Sequence, residues 1–417
     1  VLSSILALLI ACGGEAPEPA AQPGPEEPGP EVLADLPQGL LLALSQFEVT
    51  PEGKVKPVPK AARLEILTRQ GGEWKMEALE DSSSNVFHKA MVYDGSGQPE
   101  LITLSGTAAA VKLWRRDASG WSAEPIWTED FGGRFSRMRD AEAADFDGDG
   151  TTDLAVATHD QGVVAVISHA DGDWTVRPID RETNTFVHEI EVGDVDGDGV
   201  LEFYSTPSEP NRLDGSPQSG KVMRYVPAKG DEGTVVADLG DRHAKEILVS
   251  DVDGDGRDEL YVAVEGHTEA GDLLEPVEIR RYDADTDPTQ GAVIARIDDR
   301  LCRFLTAGDL DGDGKREMVA AAFKSGLWLL RPGDDPRGYW KVTSIDKDSS
   351  GFEHAALAAD LDGDGTDELY VASDDQGEVR RYTWKDGRMN REVIHSREVP
   401  GSVFTWNLMP VPLAVLE

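Results

Sequence analysis

Apolar and polar positions alternate in short blocks along most of the chain. Around residue 190 the blocks read His188-Glu189-Ile190-Glu191-Val192, then Glu202-Phe203-Tyr204-Ser205-Thr206, then Lys221 to Val226 and Thr234 to Ala237. Each is β-prone and bounded by Gly, Pro, Asn or Asp, so the set predicts a four-stranded antiparallel meander. Matching second strands fall at Glu317 to Ala322 and Glu368 to Ala372, and third strands at Gly326 to Arg331 and Glu378 to Trp384. No stretch keeps a helical period, which makes the chain all-β.

Between first and second strands stands one ten-residue phrase, fullest at Asp251-Val252-Asp253-Gly254-Asp255-Gly256-Arg257-Asp258-Glu259-Leu260. Carboxylates at its positions 1, 3, 5 and 9 can converge on one hard cation, and glycines at 4 and 6 permit the positive φ of a loop curled round an ion. The phrase recurs at Asp145, Asp194, Asp309 and Asp360, and a degenerate copy runs from Val92 to Leu101. In that copy Val92 and Ser96 replace two carboxylates, so it is expected to keep the turn and to bind calcium poorly or not at all. First positions lie 53, 49, 57, 58 and 51 residues apart, a repeat that overrides any division into ordinary domains. Residues 37 to 417 hold about seven such periods, one more than the phrases count.

The seventh unit is assembled from both ends. Gly39 to Leu44, Ala62 to Leu67 and Lys75 to Leu79 read as second, third and fourth strands, and Val403 to Leu408 as the first strand they lack. A unit shared in this way closes a ring and removes its open edges. The expectation is a seven-bladed β-propeller.

These phrases resemble the repeats of the FG-GAP/VCBS propellers, the group that includes the integrin alpha-chain head. The resemblance implies Ca²⁺ loops between the first two strands of a blade, about five in number. By position the ligands would be Asp145, Asp147, Asp149 and Asp153; Asp194, Asp196, Asp198 and Glu202; Asp251, Asp253, Asp255 and Glu259; Asp309, Asp311, Asp313 and Glu317; and Asp360, Asp362, Asp364 and Glu368. The carbonyl at position 7 would add an oxygen. An EF-hand needs a carboxylate at position 12, where this chain has Val156, Ser205, Val262, Ala320 and Val371.

Net charge is −39, so nucleic acid and anionic membrane surfaces should be repelled; five Ca²⁺ would leave −29. Residues 1 to 12 are an apolar run ending in Cys12, similar to a bacterial lipobox, though no Lys or Arg precedes the run. That implies a lipid on Cys12 and a place in the cell envelope, on its periplasmic or outer surface. Residues 13 to 36, rich in Pro, Glu, Ala and Gly, then read as a tether, and residues 37 to 417 as the propeller. Cys302 is expected to be a buried thiol without a disulfide partner.

Strands in a blade alternate in direction, which puts the calcium loops on one face and leaves the other for recognition of a protein or glycan. Six residues before the first aspartate of each loop, counting from Asp94 in the degenerate copy, stands His88, Arg139, His188, Lys245, Arg303 or His354, with Trp406 in the shared blade. These are candidates for a cationic ring at the channel mouth, taking an anionic ligand; the alternative is that each bonds carbonyls or acids between blades. Two insertions on the same face, Pro207 to Gly220 and Glu265 to Pro276, are candidate binding loops. No catalytic motif is present: there is no His-Glu-x-x-His and no Gly-x-Ser-x-Gly. The sequence is therefore read as a binding or adhesion module and not an enzyme, with a polysaccharide-lyase-like activity or an envelope scaffold as the alternatives.

Overall fold

A computed structural model describes residues 36–416 except 108, 133–135, 160, 182–183 and 208. The lipobox with Cys12, and the tether up to residue 35, lie outside the described residues. The rest is a seven-bladed propeller. Blades 1 to 6 are each a four-stranded antiparallel sheet, with a hairpin of His267–Glu269 and Asp272–Glu275 inserted between the second and third strands of blade 4, and their innermost strands are Phe87–Tyr93, Met138–Ala144, Val187–Gly193, Ala244–Ser250, Cys302–Gly308 and Ala356–Ala359. Both ends of the propeller build blade 7. Its innermost strand Val403–Pro412 pairs with Gln38–Val49, followed outward by Ala62–Gln70 and Glu73–Asp81.

Second strands such as Glu202–Pro207 and Glu317–Ala322 are buried at every position, because a neighbouring blade covers each face. Fourth strands such as Glu73–Asp81 are largely exposed. The core accordingly divides into seven clusters, each joining two adjacent blades. The cluster with Leu41 and Leu64 of blade 7 and Phe87 and Leu101 of blade 1 lies across the ring closure. Burying a Leu or Phe contributes about 1.5–3 kcal/mol, so every interface helps to hold the ring shut.

Most innermost strands begin with an irregularity. The pairing skips His88, Arg139, Lys245 and Arg303 in blades 1, 2, 4 and 5, and both His188 and Glu189 in blade 3. A bulged residue leaves the strict alternation and re-aims its side chain. That places His88, Arg139, His188, Lys245 and Arg303 at the channel mouth, opposite the loops, while His354 stands just before its strand.

Candidate functional site

In the loops, the first aspartate organises the turn through backbone donors. Asp251 accepts N–H groups from Gly254 at 2.7 Å, Asp255 at 3.1 Å and Gly256 at 2.9 Å. Asp145 and Asp360 do the same in blades 2 and 6. Gly254 and Gly256 adopt φ of 75° and 90°, which a side chain would strain.

Oxygens within 4.8 Å of one another come from Asp251, Asp253, Asp255 and Glu259; from Asp145, Asp147 and Asp153; from Asp194, Asp196 and Glu202; from Asp309, Asp311 and Glu317; and from Asp360, Asp362 and Asp364. Four expected ligands fall outside these groups. Of these, Asp198 is paired with Lys229 and Glu368 with Arg381, while Asp149 and Asp313 accept the N–H groups of Thr151 and Lys315. The donors are all hard oxygens, and Asp311 Oδ1 is buried without a hydrogen-bond partner, so these residues fit a calcium ion. Burial pushes Glu259, Glu317 and Glu368 up to about 7, and a facing cation would hold them ionised.

Sequence reasoning missed the arginines behind the loops of blades 3 to 6. From the third strand of blade 4, Arg281 reaches Asp253 Oδ2 at 2.6 Å and Glu259 Oε1 at 3.1 Å. Arg331 reaches Asp311 Oδ2 at 2.8 Å and Glu317 Oε1 at 3.2 Å. Arg381 bridges Asp362 and Glu368, and Arg224 bridges Asp196 and Glu202. Tyr261 and Tyr370 donate their hydroxyls to the other oxygen of Glu259 and Glu368 at 2.8 and 3.0 Å. Blade 2 differs: Ser168 stands opposite Asp153, the register at which Arg331 faces Glu317 in blade 5, and Val166 occupies the register of Arg224, Arg281 and Arg381. In the degenerate loop Glu100 is held by Ser96 and Arg115, both at 2.5 Å, and by Gln98 at 3.4 Å.

At the mouth the six candidate residues do not form an open cationic ring. His88 Nδ1 lies 2.7 Å from the Met138 carbonyl, and His354 bridges the Ala322 carbonyl and Ser349, each at 2.7 Å. Lys245 is paired with Glu209 of the first insertion at 2.9 Å. Burial, then the charge of Arg139, holds His88 and His188 well below the usual imidazole range, and burial takes His354 down to about 4.

What the mouth brings together is a smaller group. Glu353, almost fully buried, is paired with Arg303 and lies 3.9 Å from Arg139. Arg139 Nη2 lies 2.9 Å from His188 Nε2, and its guanidinium is 5.4 Å from the Trp406 ring centre. Arg303 lies 5.8 Å from the centre of Phe352, which is exposed and stacks on Phe404 at 5.0 Å. Glu353 stands on a segment where the inner strand of blade 6 has not yet begun, and His354 beside it has a φ of 57°.

Below this group is a layer that counting six residues back overlooks. Five residues before the first aspartate of the loops in blades 1 to 4 are Lys89, Asp140, Glu189 and Glu246. Lys89 Nζ sits 3.0 Å from Asp140 and is also paired with Glu142. Burial, with Asp140 adding like charge at Glu189, pushes Glu189 and Glu246 well above the usual carboxyl range. Cys302 is a buried free thiol, as expected, and burial pushes it well up.

The FG-GAP-like repeat family matches residues 93–156, 145–205 and 309–371, each stretch running over at least one loop. Those three stretches are FG-GAP-like repeats. No curated protein matches the chain. Among solved structures, the chain is similar to a Lactobacillus plantarum protein at 12% identity and TM-score 0.55, over 90% of this chain and 99% of that one. A Bacteroides fragilis protein provisionally named a 6-phosphogluconolactonase matches at 13% identity and TM-score 0.54, over 92% of this chain and all of its own. A Bacteroides uniformis protein with the same provisional name matches at 12% and 0.52, over 91% and 100%.

The expectation that the chain is not an enzyme is corrected by these likenesses. It rested on missing motifs, yet proteins named as lactonases share this whole architecture, so a lack of the familiar motifs excludes no activity. At such identities the likeness shows the fold alone, and no lactonase residue is carried over.

Proposed function

We propose that this chain is a calcium-clipped envelope propeller that binds a carboxylated sugar at its channel mouth. The observation that carries the reading is the convergence of Arg139 and Arg303 on the single carboxylate of Glu353, with the Trp406 ring beside Arg139 and the Phe352 ring beside Arg303. Guanidinium groups match carboxylates in shape and charge, and flat aromatic faces pack against the apolar side of a sugar ring. Glu353 then stands where a ligand's carboxylate would go, on a strained segment able to yield it. Calcium in the loops would pin the opposite face and keep the ring rigid. A lipid on Cys12 would hold the propeller at the membrane.

Calorimetric titration with hexuronate oligomers and matched neutral oligosaccharides tests the reading. Heat is expected from the acidic oligomers only, with tighter binding by Glu353→Gln. Equal binding of neutral oligomers, or none of either, contradicts it.

A second reading is opening of a sugar lactone at the same mouth. It is favoured by Glu189 and Glu246, whose raised carboxyl groups suit proton transfer to and from water, and by the names of the similar propellers. Proton release from added lactones, lost in Glu189→Gln, is its test.

A further inference from the structure

Each of the five full loops carries four carboxylates at the ligand positions, yet their surroundings differ in one respect. Arg224, Arg281, Arg331 and Arg381 stand behind the loops of blades 3 to 6, and Ser168 stands behind that of blade 2. We propose that these arginines set the calcium affinity of their loops, which makes the blade 2 loop the tightest and most metal-dependent site. The inference rests on calcium occupying the loops.

In blades 4 and 5 the arginine takes Oδ2 of the third-position aspartate. In blade 5 this leaves Asp311 Oδ1 buried and free to face an ion. The same arginine also takes Oε1 of the ninth-position glutamate, 3.1 Å away in blade 4 and 3.2 Å in blade 5. It therefore acts on the ion in two ways. It opposes a divalent cation by charge, and it competes for a carboxylate the cation would use. Without metal it does the reverse, and offsets the repulsion among four clustered acids.

Blade 2 lacks that counter-charge. Asp153 faces Ser168 across the strand pair and accepts the Phe146 N–H at 3.3 Å, and among the described residues no Lys or Arg is shown paired with Asp145, Asp147, Asp149 or Asp153. Blade 3 is the opposite extreme, because Lys229 on Asp198 adds a second cation to Arg224. The order of affinity is accordingly blade 2 first, blades 4 to 6 next and blade 3 last.

The test is a competition titration of the whole protein with calcium against a chromophoric chelator, joined to melting in excess chelator. Ser168→Arg should weaken the tightest site about tenfold, the effect of one unit charge a few ångströms from a divalent ion, and should raise the chelator melting point. Arg281→Ser should tighten one site by a similar factor and lower that melting point, and Arg281→Lys should lie between. If the protein takes up calcium but Ser168→Arg leaves the tightest site unchanged, this proposal fails and the calcium reading stands. If no variant takes up calcium, both fail.

Discussion

Oδ2 of Asp258, eighth residue of the blade 4 loop, accepts the backbone N–H of Asp194, first residue of the blade 3 loop, at 3.0 Å. Asp367 of blade 6 does the same to Asp309 of blade 5 at 2.8 Å. Between them, Arg316 of blade 5 reaches Ser250 of blade 4 at 2.8 Å. Neighbouring loops are thus latched edge to edge on their face of the propeller, and the residue before each latched aspartate has no room for a side chain. A Cβ on Gly193 would lie 2.8 Å from Asp258 Oδ2, and one on Gly308 would lie 2.5 Å from Asp367 Oδ2. Gly308→Ala should therefore cost about 1–3 kcal/mol in urea unfolding by overpacking and loss of the latch. Unchanged stability would show that the latch is slack.

The buried pair at the mouth gives a second expectation. Arg303→Met removes one member and leaves Glu353 buried with Arg139 at 3.9 Å as its remaining cation. Breaking a buried pair from one side costs about 3–5 kcal/mol, read as a fall in unfolding free energy. A loss below about 1 kcal/mol would mean that Glu353 readily moves to water.

The closure of blades 6 and 7 predicts a pH dependence. Asp374 is buried, accepts the Thr405 N–H at 2.6 Å and the Thr405 hydroxyl at 2.9 Å, and is pushed by burial up to about 6. A carboxyl raised on folding favours the folded state when protonated. Its contribution is complete below about 4 and is lost as pH rises through about 6, a span worth about 3 kcal/mol. The buried histidines act in the opposite sense, so the comparison is between the native chain and Asp374→Asn. The variant should gain relative stability as pH rises from 4 to 7 in denaturant melts; parallel curves would contradict the assignment.

The loops and the ring were legible in the sequence for one reason. A phrase that fixes four carboxylates and two glycines within nine residues leaves little freedom of structure, and its recurrence fixes the blade. The arginines were not legible, because the third strand follows the ninth position at varying distance: Arg224 and Arg281 lie 22 residues on, Arg331 and Arg381 only 14 and 13. The recurrent Arg-Tyr pairs at Arg224, Arg281 and Arg381 were the available signal. The mouth was only half legible. The bulges turn Arg139 and Arg303 out of simple alternation, and Glu353 comes from a segment that precedes its strand.

Calcium titration of metal-stripped protein, followed by calorimetry and by melting with and without chelator, tests the central claim most directly. Binding to about five sites is expected, with a melting point that rises as calcium is added. No heat and an unmoved melting point would contradict it.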